Sequence, residues 1–557
     1  MSLFTTILKR TLGDECAQSL KIGTKTDEET RKDGWAAILG VPELVVVFLN
    51  GRDLRALGQT NTRVLISIRE WTDKCIRWVL VTNYAWSDPP RSLDCNSSSA
   101  FHGTMKHIKL LNELTEKRFF IVGEGGTVVS FSVDKFLESY NNVTDTGSGN
   151  KSLFKVYETR FEGLSRCLPQ SMLINGSIYV LGGENPKRST ENRTGLEALD
   201  PLCLLEPKKR IALLGSIHRK PSTWKSTETS FLSALPEKGL HRFHTTLHDG
   251  YIYITGGRYL ENTEIRGGAR RVNSQRTYRV SVESLEHATA AGFQRTWHCN
   301  ATNDVGADSQ ELSTEKDDSE GSDSDSHCVA ALPSFQTGRY GHASVVFKNR
   351  LIVAGGEKHS QLENSVEYLD LGEWRQYEDK VKAARATGAG RATVPTPAWH
   401  SMPPLAAPGR FAFSLLVIND RLYAVGGSDK DSVTVERLDE SSDACASCWS
   451  VVARLPGTDS DWGAFCVSYK HFIFYFGLYN PLESPRTANP HFNAYDLKRD
   501  RWLWSGSDDS VGGGGPGARA LLSRLVMGQP TSKASEYSLP TPFSRFSTFV
   551  AAVIPER

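Results

Sequence analysis

Chemistry in this chain would have to come from a few side-chain groupings. Cys445 and Cys448 form a lone CxxC. A structural zinc site wants four ligands, and no second pair accompanies this one, so the pattern reads as two thiols in a turn. His241, His244 and His248 lie close together. A copper oxidase would need Tyr, His and Cys ligands clustered around them, and export from the cell. Only His244 and His248 share a phase on one strand, so the three read as strand and loop residues. The glycine run Gly512–Gly515 follows no strand and lacks the Lys-Ser/Thr of a phosphate-binding loop. No nucleophile elbow occurs. These groupings build no catalytic constellation, so neither a metal nor a cofactor is expected. A different set does recur. An arginine followed by an aromatic or small residue stands at Arg166, Arg242, Arg339 (with Tyr340), Arg410 (with Phe411) and Arg545. Guanidinium forks suit bidentate capture of carboxylate or phosphate. Side chains repeated at one position also serve architecture, for instance by bonding backbone carbonyls of neighbouring repeats.

The arginines open a repeated phrase. At 338–370 it runs from GRYGHASVVF through NRLIVAGGEKHSQLENSVEYLD, and at 410–439 it runs RFAFSLLVINDRLYAVGGSDKDSVTVERLD. From Arg339 to Gly355 is the same offset as from Arg410 to Gly426. Two near-continuous apolar runs read as strands buried on both faces. A Gly-Gly pair ends the second, where a Cβ would block a sharp bend or a close approach. The third run alternates. A late Trp (Trp399, Trp449) follows, placed to pack between neighbouring units. Four strands cannot bury both faces alone, but several such sheets set radially can, which is an all-β propeller.

The phrase resembles the kelch repeat: an Arg-aromatic start, an apolar run into Gly-Gly, "veyld", then Trp and Met-Pro or Leu-Pro. The resemblance covers roughly residues 105–557. Weaker copies carry Gly182-Gly183 with Trp224, Gly256-Gly257 with Trp297, and Gly477 with Asp496 and Trp502. There Asp461-Trp462 stand in the Arg-aromatic place. The most degenerate copy lies near Gly123, with Tyr157 in the place of Trp. Six blades are expected. SRFSTFVAAVI at Arg545 would return as a closing strand of the first blade; the competing reading gives that strand to HIKLL at His107. The resemblance implies a protein- or peptide-binding face near the arginines, and an Arg ring would favour an acidic or phosphorylated segment. Kelch-like specifier proteins use a Glu-x3-Asp-x3-His iron motif, and no histidine here is preceded by that spacing.

Before the repeats the composition differs. Residues 1–33 are polar and read as a flexible arm. Residues 35–80 carry three helical apolar stripes, broken at Asn50-Gly51, with Asp53 placed to cap the second helix. A helical unit of this size is marginal alone. It resembles an F-box in Pro42-Glu43, Leu49, Arg52-Asp53-Leu54 and Trp78. Two departures are a shorter gap from Pro42 to Leu49, and Gln59-Thr60-Asn61 in place of the usual Val-Cys/Ser. The resemblance implies docking of Pro42, Leu49, Asp53, Leu54 and Trp78 on a Skp1-like adaptor within a cullin complex. Residues 81–105 read as a linker. Within the propeller, 303–326 is acidic and serine-rich (DSEGSDSDS) and is expected to be disordered.

With 65 Lys+Arg against 64 Asp+Glu, the totals carry no nucleic-acid footprint. No run approaches a membrane span, and the N-terminal apolar stretch is too short for a signal peptide. The setting expected is cytoplasm or nucleus. The sequence reading is therefore a substrate receptor of an SCF-type ubiquitin ligase, its propeller holding a protein target. A kelch scaffold without ligase role is the alternative, and a kelch-class enzyme is a distant third.

Overall fold

A computed structural model describes residues 66, 69–70, 72–79, 106–108, 110–111, 114, 116–123, 125–141, 154–157, 159–161, 169–174, 177–184, 196–199, 204, 224–227, 235–237, 239–263, 268–283, 329–387, 394–427, 433–440, 447–455, 461–479, 492–503 and 548–550. The expectations placed on residues 1–33, 81–105 and 303–326, and on Pro42, Leu49, Asp53, Leu54, Arg166 and Arg545, lie outside these. The chain divides into two compact units, one of residues 1–118, 201–221 and 552–557, the other of residues 119–200 and 222–551.

In the first unit the described residues from 66 to 79 are helical. Thr72, Ile76 and Val79 are buried at helical spacing, while Ile66 and Trp78 are exposed. His107 is also helical, so HIKLL is not the strand that the competing reading required.

The second unit is built from antiparallel four-stranded sheets. In chain order the strands are β1 (Arg118–Val122), β2 (Val128–Ser132), β3 (Phe154–Tyr157), β4 (Gln170–Ile174), β5 (Ser177–Leu181), β6 (Leu196–Leu199), β7 (Lys225–Thr227), β8 (His244–His248), β9 (Tyr251–Thr255), β10 (Arg258–Thr263), β11 (Gly268–Asn273), β12 (Thr277–Ser281), β13 (Val329–Leu332) and β14 (Ala343–Phe347). They continue as β15 (Arg350–Ala354), β16 (Glu357–Lys358), β17 (Gln361–Leu362), β18 (Val366–Asp370), β19 (His400–Met402), β20 (Phe413–Ile418), β21 (Arg421–Gly426), β22 (Val433–Asp439), β23 (Cys448–Leu455), β24 (Asp461–Tyr469), β25 (Phe472–Tyr479), β26 (Phe492–Asp496), β27 (Arg501–Trp502) and β28 (Thr548–Val550).

Five blades follow the chain directly, with orders β4-β5-β6-β7, β8-β9-β12-β13, β14-β15-β18-β19, β20-β21-β22-β23 and β24-β25-β26-β27. Among the described residues that is one fewer than the expected six. The remaining four-stranded sheet joins β28 to β1, β2 and β3, with Phe120 opposite Val550. First strands of successive sheets lie side by side, from β28 through β4, β8, β14 and β20 to β24. This arrangement is an all-β propeller.

Burial follows the logic of the repeat. The second strands β5, β9 and β15 are buried almost throughout, and the third strands β12 and β18 alternate. The first strands are more open than expected; β8 is nowhere fully buried, because the innermost strand has no sheet on its inner side. The cores lie between sheets. One cluster joins Met172, Tyr179 and Leu181 to Phe243, Ile252 and Tyr278, and another joins Ile352 and Ala354 to Phe413 and Leu422. Three of the late Trp residues bridge two blades, with Nε1 of Trp224, Trp399 and Trp449 donating to the carbonyls of Gly126, Pro333 and Pro403 at 2.8, 2.8 and 3.1 Å, whereas Nε1 of Trp502 is buried without a hydrogen-bond partner and Trp297 lies outside the described residues. An aromatic seam joins Phe119, Phe131 and Phe136 to Phe472, Phe474 and Phe476, tying the β28-containing sheet to the last blade.

The Gly-Gly pairs are where each blade receives the next. Gly257 N–H donates to the Arg339 carbonyl at 2.9 Å, and Gly356 N–H to the Arg410 carbonyl at 2.6 Å. A Cβ on Gly256 would lie 2.7 Å from the Arg339 carbonyl oxygen, and φ there is 54°.

Among the described residues two helices depart from the repeat, α1 (Val133–Asn141) after β2 and α2 (Leu371–Ala386) between β18 and β19. Leu371, Trp374, Tyr377 and Val381 form the buried stripe of α2. Its polar side clips to the preceding blade, where Arg279 donates to both Glu378 oxygens and Arg375 pairs with Asp249. Asp370, the final acid of VEYLD, caps the helix by accepting the Gly372 and Glu373 N–H groups at 2.8 and 3.1 Å. Asp370→Ala is therefore expected to cost about 1 kcal/mol, seen as a lower urea midpoint with the propeller otherwise intact.

Candidate functional site

Arg339 and Arg410 are 0% and 1% exposed. Each reaches partners further along its own blade: Arg339 Nη1 donates to the Gly355 and Ser365 carbonyls at 3.0 and 3.1 Å, and Arg410 Nη1 to those of Gly426 and Thr434 at 2.5 and 3.2 Å. The other fork nitrogen pairs with Glu367 or Glu436, buried glutamates on the third strands. Those carboxylates also accept backbone N–H groups of the incoming linker, at Gln336 in one blade and at Ala406 and Ala407 in the next. The pair thus ties together the linker, the Gly-Gly turn and the third strand. Burial lowers the Arg339 pKa more than Glu367 and Glu363 raise it. The architectural role weighed for these arginines is the one their contacts describe, within each blade rather than between blades.

Glu197 stands at the same place on β6, opposite Val180, as Glu367 does opposite Val353. The blade of β8 is different. Counting back from Gly256 puts Leu240, not Arg242, at the arginine position. Tyr278 takes the glutamate position, opposite Ile254. Its hydroxyl donates at 2.8 Å to Glu237, which also accepts from Ser274 at 2.5 Å. Burial raises the Glu237 carboxyl pKa despite these bonds.

Arg242 corresponds instead to Gly341 and Ala412, and all three share left-handed backbone, with φ of 53°, 63° and 51°. Its side chain pairs with Glu184 of the preceding blade and lies 5.5 Å from the Tyr340 ring centroid. Arg258, which directly follows Gly257, sits over the same ring at 4.2 Å. Tyr340 is buried and packs edge-on against Phe411 at 5.5 Å. That contact requires glycine at 341, where a Cβ would lie 2.0 Å from the Phe411 ring. Burial and a hydrogen bond with Glu357 push the Tyr340 hydroxyl up to about 12. Side chains from four successive blade repeats (Glu184, Arg242 and Arg258, Tyr340 and Glu357, Phe411) therefore converge at the Arg-aromatic end of the propeller, here called its mouth.

Below the mouth, between β8 and β14, lies a polar seam. His244 Nδ1 and Thr246 Oγ1 contact Ser344 Oγ at 2.8 and 2.7 Å, and His342 Nε2 contacts Thr255 Oγ1 at 2.9 Å. His342 stands where the neighbouring blades have Phe243 and Phe413. The three histidines His241, His244 and His248 form no metal cluster among the described residues. Cys448 is an exposed free thiol, and Cys445 lies outside the described residues.

Residues 338–379 match the family model described as the Kelch motif. The matched span holds Arg339, β14, β15, Gly355-Gly356, Glu367 and the start of α2. The match and the sheet arrangement together support a kelch-repeat protein. Sequence reasoning located Tyr340 and Phe411 of the kelch mouth. It missed Arg258 and Glu184, whose signal was their place just after a Gly-Gly pair. It also missed Glu367 and Glu436, whose signal was a Glu at the second position of both VEYLD and VERLD.

Proposed function

We propose that this chain is a non-catalytic recognition subunit whose kelch mouth holds a segment of another protein. The convergence of cationic, acidic and aromatic side chains from four blade repeats supports this reading, since it offers directional polar contacts beside apolar rings in one place. Residues 35–80 would dock on a Skp1-like adaptor, and the propeller would thereby present its target to a cullin-based ubiquitin ligase by raising effective concentration. The F-box resemblance of Pro42, Leu49, Asp53, Leu54 and Trp78 supports this second part. Trp78 is 43% exposed.

A pull-down with an Skp1-type adaptor tests the ligase role, comparing the natural chain with one carrying Leu49→Asp and Leu54→Asp. A charge placed in an apolar interface core brings a desolvation cost that the partner cannot offset. The natural chain is expected to retain the adaptor and the variant to lose it, with unchanged thermal unfolding of the propeller. If the natural chain retains no adaptor, the ligase role falls and the kelch scaffold reading replaces it.

A further inference from the structure

We propose that Arg258 is the anion anchor of the mouth and takes a carboxylate from an acidic side chain of the bound segment. This rests on the mouth being the binding face. The neighbouring arginines are already neutralised, Arg242 by Glu184, Arg339 by Glu367 and Arg410 by Glu436. Arg258 has no carboxylate partner among the described residues, and its buried Nε has no hydrogen-bond partner. Its guanidinium is held instead over Tyr340 by cation–π attraction, which uses none of its N–H donors. Tyr340 is buried and braced by Phe411, so the shelf is rigid and the cation is positioned before a ligand arrives. β10, which begins at Arg258, pairs with β11 over its whole length, Arg258 opposite Asn273, and Asn273 is tied to the Glu357 carbonyl at 3.2 Å.

The surroundings select the kind of anion. Glu184 lies one residue past its own Gly-Gly pair and Glu357 one residue past the next blade's, as Arg258 does in its blade. Glu184 is offset by Arg242, which leaves Glu357, beside the same Tyr340 as Arg258, as the uncompensated acid among the described residues; a doubly charged phosphate would meet twice the repulsion from it that a single carboxylate meets.

The test uses the full chain on an array of twelve-residue peptides, in matched sets that differ only by a central Glu, Gln or phosphoserine. The natural chain is expected to favour Glu over Gln by about tenfold, the size of one charge-assisted hydrogen-bonded pair. Arg258→Gln should abolish that preference, and Arg258→Lys should keep part of it, because a lysine retains the charge but not the fork. Thermal unfolding of both variants should match the natural chain. A Glu preference that survives Arg258→Gln overturns the proposal, as does the absence of any Glu preference in the natural chain or a stronger preference for phosphoserine. Replacing the exposed Gln361, on the β16–β17 hairpin that Glu357 begins, with benzoylphenylalanine and mapping the crosslink of a bound array peptide separates the two levels. A peptide that crosslinks at the mouth but ignores Arg258→Gln leaves the binding face standing and removes the anchor. A peptide that binds without crosslinking there removes the binding face itself.

Discussion

Arg410→Ala is expected to destabilise the propeller by about 3–5 kcal/mol, and Arg339→Ala by a similar amount. Removing Arg410 leaves the Glu436 side chain buried without its cation, and strips donors from the Gly426 and Thr434 carbonyls. The cost is mainly that of the uncompensated charge rather than the worth of the pair in the natural protein. Arg410→Lys should recover only part of the loss, because one ammonium cannot reach the carbonyls and the carboxylate in the planar geometry the fork provides. The measurement is the urea midpoint of the single variants Arg410→Met and Glu436→Leu and of their combination. The double variant should lose clearly less than the sum of the singles, since neither partner is then left charged and alone. It will not be neutral, because Glu436 also accepts the Ala406 and Ala407 N–H groups. Strict additivity would show that the two side chains do not act as a unit.

The second expected result is a loss of stability on mild acidification. His342 is 3% exposed, and burial holds its pKa well below the usual imidazole value, with His244 and Arg339 adding to the effect. Burial lowers His244 to about 4, and lowers His241 despite the opposing Glu184 carboxylate. The unfolded chain takes up these protons near pH 6.5, while the folded chain refuses them until a lower pH. The stabilisation is therefore complete above pH 6.5 and is lost as pH falls toward the folded-state values. Each fully buried histidine contributes a slope of about 1.4 kcal/mol per pH unit in that window. With His244 only half-buried and discounted, His342 and His244 together should remove about 2 kcal/mol between pH 6.5 and pH 5. Glu237 acts in the opposite sense above pH 4.5: with its folded pKa raised, its contribution is present at low pH and lost on raising it. His342→Phe gives the deciding comparison, because Phe243 and Phe413 show that the site accepts a ring without a proton. The variant's urea midpoint should vary less steeply with pH, by about one proton's worth. A profile parallel to that of the natural chain would assign the acid sensitivity elsewhere.

The propeller was legible because its signals are local. Apolar runs, Gly-Gly pairs and late Trp residues each report on a strand, a close approach or a bridge within a few residues of themselves. The mouth was legible only in part. The HRF of residues 241–243 looks like the GRY and GRF of its neighbours, so Arg242 was read in their register. Counting from Gly256 would have placed Leu240 there, two residues earlier. The glutamates escaped notice because a single buried acid in VEYLD looks like the polar phase of an alternating strand, and its partner is supplied by tertiary structure. The α2 stripe of Leu371, Trp374, Tyr377 and Val381 does have a helical period, but it falls where the repeat leads one to expect a loop between the third and fourth strands.

The pairing of β28 with β1 has a kinetic meaning. Positions 120 and 550 meet across nearly the whole described chain, so this contact has the greatest loop-closure entropy to overcome and should be among the last to form. During synthesis β1 emerges early and keeps an unpaired edge until residue 550 has left the ribosome, an interval in which another extended segment can pair with it. The blades between can assemble against one another meanwhile, as each buries its core against its neighbour. The last strand then acts as a proofreading step, for a chain that stops short of it is left as an open arc with a free edge, a species that chaperones and proteases can distinguish from the closed ring.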